Sequence, residues 1–91
     1  MRRIDGKFHI ENNQIVKTSN GDPIPEDEPL FMIRARDRLA LPLLQSYFQI
    51  SMYDGCNDYH RQMLEKAIEE FKKFKELHPE RMKQPSITRG M

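Results

Sequence analysis

The chain has 91 residues, 37% of them hydrophobic and 32% charged, and its 15 basic and 14 acidic residues leave a formal net charge of +1. This length allows one small domain with a limited core, and the balanced charge gives no general signal for nucleic acid or a membrane. The lone cysteine cannot form an internal disulfide, and no apolar run reaches the roughly 20 residues that span a bilayer. We therefore expect a cytoplasmic protein.

The first predicted element is a β-hairpin that turns at Asn12 and Asn13. Asparagine tolerates positive φ, which two-residue hairpin turns require. The segments 7–11 and 14–18 flank this turn, and Phe8 and Ile10 alternate with polar residues as in a half-buried strand. The pattern predicts a short antiparallel hairpin.

An acidic loop over 19–29 follows the hairpin, because its three prolines, one glycine and four acidic residues exclude a regular element. The next residues, 30–33, are apolar and too few for a helix. They are compatible with a third strand beside the hairpin, so the sequence leaves a two-stranded or a three-stranded sheet open.

The first predicted helix has Asp37 as its N-cap and runs to about Tyr53, with Gly55 as its terminator. Pro42 must lie near the start, because only the first helical amides lack an intrahelical partner. The apolar residues of this helix cover more than one face, so one packed neighbour cannot bury them all. This excess favours a homo-oligomer or a protein partner.

A second amphipathic helix is predicted over 59–77, with Asn57 or Asp58 as its N-cap and His78 and Pro79 at its end. The short connection makes the two helices antiparallel. The predicted fold class is α+β: a short hairpin, with a third strand open, packed on an antiparallel two-helix hairpin. We expect residues 1–79 to form one domain and residues 80–91 a flexible basic tail.

Three arginines at alternate positions, Arg34, Arg36 and Arg38, precede the first helix and are the candidate anion-binding residues. The guanidinium group binds phosphate or carboxylate with two parallel hydrogen bonds, and helix N-termini favour anions. The alternative is internal pairing with nearby carboxylates, chiefly those of the acidic loop 22–28. The sequence leaves both interpretations open.

Three tyrosines, Tyr47, Tyr53 and Tyr59, are the candidate stacking surface for a nucleobase beside those arginines. In the competing interpretation, their rings pack in the small core and their hydroxyl groups reach water. We expect the core role for Phe31 and Phe48.

No catalytic or metal-binding motif occurs in the sequence. Cys56 and His60 lie at the turn between the helices, but the segment 54–60 has neither four zinc ligands nor a calcium loop. Nothing in the sequence supplies a base and an oxyanion site for Cys56 as a nucleophile. We expect no metal, no cofactor and no enzymatic activity.

The segment from Pro25 to Leu44 resembles small uncharacterised proteins of bacteria and their phages. In those proteins an acidic Asp-Glu-Pro stretch leads into an apolar strand with arginine and aspartate, and then into a helix. The resemblance implies no particular activity. It favours a small accessory protein, encoded by a bacterium or a phage.

Two functions fit these observations. The first is a non-enzymatic protein that binds a phosphate-bearing ligand, a nucleotide or nucleic acid, through the arginines. The second is a protein–protein interaction module, such as an inhibitor, adapter or assembly factor, that uses the apolar surface of the first helix in a homo-oligomer or a hetero-complex.

Overall fold

A computed structural model describes residues 6–84. It has two strands, β1 (Phe8–Glu11) and β2 (Gln14–Lys17), and two helices, α1 (Ala40–Asp54) and α2 (Asp58–Leu77), followed by a 3-10 helix (Pro79–Arg81). The chain divides into two compact units, one up to Met32 and one from Ile33 onward. The α+β class, the hairpin and the packing of α1 on α2 are confirmed. The packing of the hairpin on the helices stays a prediction, as does the single domain over 1–79.

The hairpin of the first unit turns as predicted. Asn12 and Asn13 have φ values of 50° and 62°, both in the left-handed region that this two-residue turn requires. The antiparallel register places Phe8 opposite Lys17 and Ile10 opposite Ile15. The most buried residue of the hairpin is Val16, which lies opposite His9, whereas Ile10 is exposed. The alternation in β1 therefore does not mark Ile10 as a core position.

The third strand at 30–33 does not form, and a different segment uses the free edge of β2. The amide of Lys17 donates to Asp22, and the amide of Ile24 donates to Ile15. Pro23 forms an isolated bridge with Val16. These bonds occupy backbone groups of Ile15 and Lys17 on the outer edge of β2, so another strand cannot pair along that edge. Phe31 is 86% exposed, so its predicted core role is wrong.

In the second unit, α1 begins two residues later than a cap at Asp37 implies. The Asp37 carboxylate accepts a hydrogen bond from the Leu39 amide at 2.8 Å, and the Ala40 amide donates to the Asp37 carbonyl. Pro42 is thus the third residue of α1, where proline is tolerated. At the other end Gly55 adopts a φ of 77°, and the amides of Gly55 and Cys56 donate to Met52 and Ser51. The predicted glycine terminator is confirmed.

The second helix also follows the prediction closely. The Asn57 side chain accepts from the His60 amide at 2.8 Å, as an N-cap does. The helix ends at Leu77, before His78 and Pro79. Ala40 and Ser51 of α1 and Leu64 of α2 are the buried residues of the helical pair. The remaining contact residues are half-buried, so the described core is small.

Candidate functional site

The segment after α2 pairs with the arginine-rich segment before α1. The Lys83 amide donates to the Arg36 carbonyl at 2.7 Å, and the Arg38 amide donates to the Lys83 carbonyl at 2.9 Å. Asp37 and Lys83 therefore form a parallel bridge. The sequence assigns Lys83 to a flexible tail, but hydrogen bonding fixes its backbone beside the arginines. Residues 85–91, with Arg89, lie outside the described part of the chain.

A shallow cavity of about 240 Å³ opens where these segments meet the two helices. Arg38 and Lys75 supply its positive charge. The rest of the lining is mainly apolar and comes from the segment before α1, the first turn of α1, the second half of α2 and the residue before Lys83: Ala35, Leu41, Pro42, Phe71 and Met82. None of the described residues that line the cavity is acidic. The cavity thus combines two cations with an apolar wall.

We name Arg36, Arg38, Lys75 and Lys83 the basic cluster. Among the described residues of this unit, no carboxylate forms an ion pair with any of them or with Arg34. The cavity lies at the positive end of the α1 dipole and at the negative end of the α2 dipole, so the two dipoles offset each other. The side-chain cations therefore determine the sign of the local field.

The structure separates the three predicted arginines. Arg38 lines the cavity, whereas Arg34 and Arg36 are exposed and do not. The alternative was that the arginines pair with carboxylates of the loop 22–28. That pairing stays a prediction, because the loop belongs to the first unit and the arginines to the second. Nothing in the sequence places Lys75 or Lys83 beside these arginines. A basic residue in the last turn of a helix signals only dipole compensation, and a long-range bridge leaves no pattern in the sequence.

The candidate stacking tyrosines lie away from this cavity. Tyr53 is the next-to-last residue of α1, and Tyr59 is the second residue of α2, so both lie next to the turn of the helical hairpin. At 1.5 Å per residue, the helical rise from Ala40 to Tyr53 is about 20 Å. Tyr47 lies between, and its ring meets His60 edge-on at 5.8 Å. One chain therefore does not bring Tyr53 or Tyr59 to Arg38.

The outer face of α1 carries an exposed apolar stripe. Its members repeat at three- and four-residue spacing along the helix, and Tyr47 forms the border with the side that carries the buried Ala40 and Ser51. No residue of α1 before Asp54 is charged. We call this surface the α1 stripe, and its exposed fractions run from 48% to 92%: Leu39, Leu43, Tyr47, Ile50 and Tyr53. The predicted excess of apolar surface is therefore visible on α1.

The turn between the helices has a structural explanation. Gly55 and Cys56 end α1 through their amides, and Asn57 caps α2. Within residues 6–84, no three histidine, cysteine or acidic side chains come together as a metal site would require.

His9 in the first unit makes two hydrogen bonds that the sequence analysis did not anticipate. Its Nδ1 lies 2.9 Å from Thr18 Oγ1, and its Nε2 lies 2.6 Å from Glu11 Oε2. A neutral ring with the proton on Nε2 satisfies both, because the Thr18 hydroxyl can donate to Nδ1. This chain of bonds joins β1 to the residue after β2, and it stabilises the hairpin.

Comparisons of the chain with protein-family models, with curated proteins and with solved structures find no match. Neither helix in the described range combines the length and apolar character of a membrane span.

Proposed function

We propose that this protein is a non-enzymatic binding protein for a small organic anion, with a phosphate-bearing ligand such as a nucleotide as the leading class. The supporting observation is the cavity, in which Arg38 and Lys75 adjoin an apolar wall without an acidic lining residue. An anionic group would bind the two cations, and the apolar part of the ligand would pack on Leu41, Phe71 and Met82.

The size of the cavity limits what one chain can enclose. Ligand pockets usually measure about 300–1,000 Å³, and this cavity has about 240 Å³. One subunit therefore holds a fragment, such as a phosphate with part of a base or a sugar. A nucleic acid would make the same phosphate contact and extend along the basic cluster, with a strong dependence on salt.

The test is calorimetric titration of three probes: inorganic phosphate, adenosine monophosphate and adenosine. We expect the monophosphate to bind best, because it alone offers both the anion and the flat apolar group. In Arg38→Gln, its affinity should fall about 10- to 100-fold, as for the loss of a hydrogen bond to a charged group.

Arg34→Gln separates the cavity from the arginine triplet of the sequence, since Arg34 does not line the cavity. Lys72→Gln is a control on an exposed part of α2 outside the lining. Both variants should bind the monophosphate like the unaltered protein. Equal affinity in Arg38→Gln would contradict the proposal, and a loss in Arg34→Gln alone would move the site away from the cavity.

The α1 stripe supports a second candidate function, a protein–protein interaction module. Its exposed apolar side chains follow one another along α1, and an exposed apolar patch of this kind often marks an interaction site. Sedimentation of the purified protein over a range of concentrations tests for self-association. A homo-oligomer would support this function, and a monomer would leave only a hetero-complex.

A further inference from the structure

We infer that the α1 stripe is covered by the α1 stripe of a second copy of this chain, packed antiparallel about a two-fold axis. The inference deepens the proposed interaction function by naming the partner and its orientation.

The absence of charge on α1 favours an identical partner. Ala40–Tyr53 contains no charged side chain, so two copies of this face can meet without burying an unpaired charge. Many protein partners would bring charged side chains to the contact, and each would need a counter-charge that α1 does not supply. A second α1 stripe is itself uncharged, so it brings no charged side chain that needs a counter-charge.

The spacing of the stripe suits the antiparallel orientation. Leu39 and Tyr53 lie at its two ends, equally far from Ser46, and Leu43 and Ile50 lie inside them. A two-fold axis near Ser46 therefore sets Leu39 against the partner's Tyr53 and Leu43 against the partner's Ile50. A parallel pair, related by a two-fold axis along the helices, would instead set Leu39 against the partner's Leu39 and Tyr53 against the partner's Tyr53.

The exposed area is close to what a dimer requires. The five members of the stripe expose on the order of 600 Å² per chain, compared with about 800 Å² per partner in a standard interface. Flanking atoms of neighbouring residues add to this area. The stripe is therefore sufficient for a modest dimer.

The same axis has a consequence for the cavity. Pro42, which lines the cavity, and Tyr53 are eleven residues apart, close to three turns of 3.6 residues, so they share one flank of α1. A two-fold axis perpendicular to the plane of the two helices places the same flank of both copies on the same side of that plane. The partner's Tyr53 consequently lies near Pro42, on the flank of α1 that carries this lining residue of the cavity. The dimer thus joins the predicted arginine and tyrosine, which one chain keeps about 20 Å apart.

The first experiment measures mass by sedimentation equilibrium on the whole protein. We expect a dimer that Ile50→Lys converts to a monomer, because each subunit would bury an unpaired ammonium group at the contact. Ile50 is 65% exposed, so the substitution leaves the subunit folded, and circular dichroism checks this. Leu77→Lys is the matched control, since Leu77 is 71% exposed and lies outside the stripe. A monomeric unaltered protein, or a dimeric Ile50→Lys, would overturn the inference.

The second experiment tests orientation by disulfide formation in a Cys56→Ser background. Ser46→Cys should link to itself across the axis, and Leu39→Cys should link to Tyr53→Cys only when the two variants are mixed. Self-linking of Leu39→Cys would overturn the antiparallel arrangement. Neither experiment uses a ligand, so the dimer and the ligand proposal are tested separately. If the protein is a monomer and its binding of the monophosphate depends on Arg38, the dimer is overturned and the ligand proposal is not.

Discussion

The bridge between Asp37 and Lys83 provides a direct perturbation of the candidate site. In Lys83→Pro the amide that donates to the Arg36 carbonyl at 2.7 Å no longer exists. A backbone hydrogen bond contributes about 0.5–1.5 kcal/mol net, which corresponds to a factor of about 2 to 12 in the equilibrium between the docked and the released segment. The bond from the Arg38 amide to the Lys83 carbonyl would open with it.

Hydrogen exchange of the Arg38 amide reports this opening. We expect exchange about 2- to 12-fold faster in Lys83→Pro than in Lys83→Ala, because only the alanine variant keeps the amide while both lack the ammonium group. The comparison therefore isolates the backbone bond from the charge. Equal protection of Arg38 in the two variants would refute the role of the bridge in holding Lys83 beside the arginines.

Two further predictions concern the helices. Gly55→Ala should lower the free energy of unfolding by about 1 kcal/mol in urea denaturation, because Gly55 has a φ of 77° and an added Cβ would meet nothing within 4 Å, so only backbone strain acts; an unchanged midpoint would contradict the left-handed cap. The pKa of Lys73 lies above its ordinary value of 10.5, first because Glu69 accepts a hydrogen bond and carries a negative charge, and second because Glu70 is also nearby. This stabilisation is present below pH 10.5 and is lost as pH rises through the raised pKa, and an NMR titration of Lys73 in Glu69→Gln should find the pKa closer to 10.5.

Local signals explain what the sequence predicted well. The hairpin depends on two adjacent asparagines with positive φ, and the helix ends depend on Gly55 and Asn57. Each is a contact within a few residues, so residue type alone indicates it. The third strand did not form because residues 22–24, which the sequence predicted as part of a loop, pair with the edge of β2.

The candidate site, too, could be predicted only where a local feature of the sequence indicates it. The sequence indicated Arg38 through its position before a helix, but the cavity also needs Lys75 and Met82, which lie 37 and 44 residues further along the chain. No period or motif connects these positions, since a parallel bridge and a helix crossing bring them together. Arg38 could therefore be predicted from the sequence, whereas Lys75 and Met82 could not.

The small core gives self-association a measurable effect on stability. Among the described residues, the buried hydrophobic side chains are Val16, Ala40 and Leu64. If the α1 stripe is buried between two copies, unfolding includes dissociation, and the melting temperature depends on protein concentration. For a dimer with an unfolding enthalpy of about 120–140 kcal/mol, a tenfold increase in concentration raises the melting temperature by about 3–5 °C. The Ile50→Lys variant should melt at one temperature throughout the series. A melting temperature of the unaltered protein that is equally independent of concentration would show that the helical pair is stable without its stripe covered.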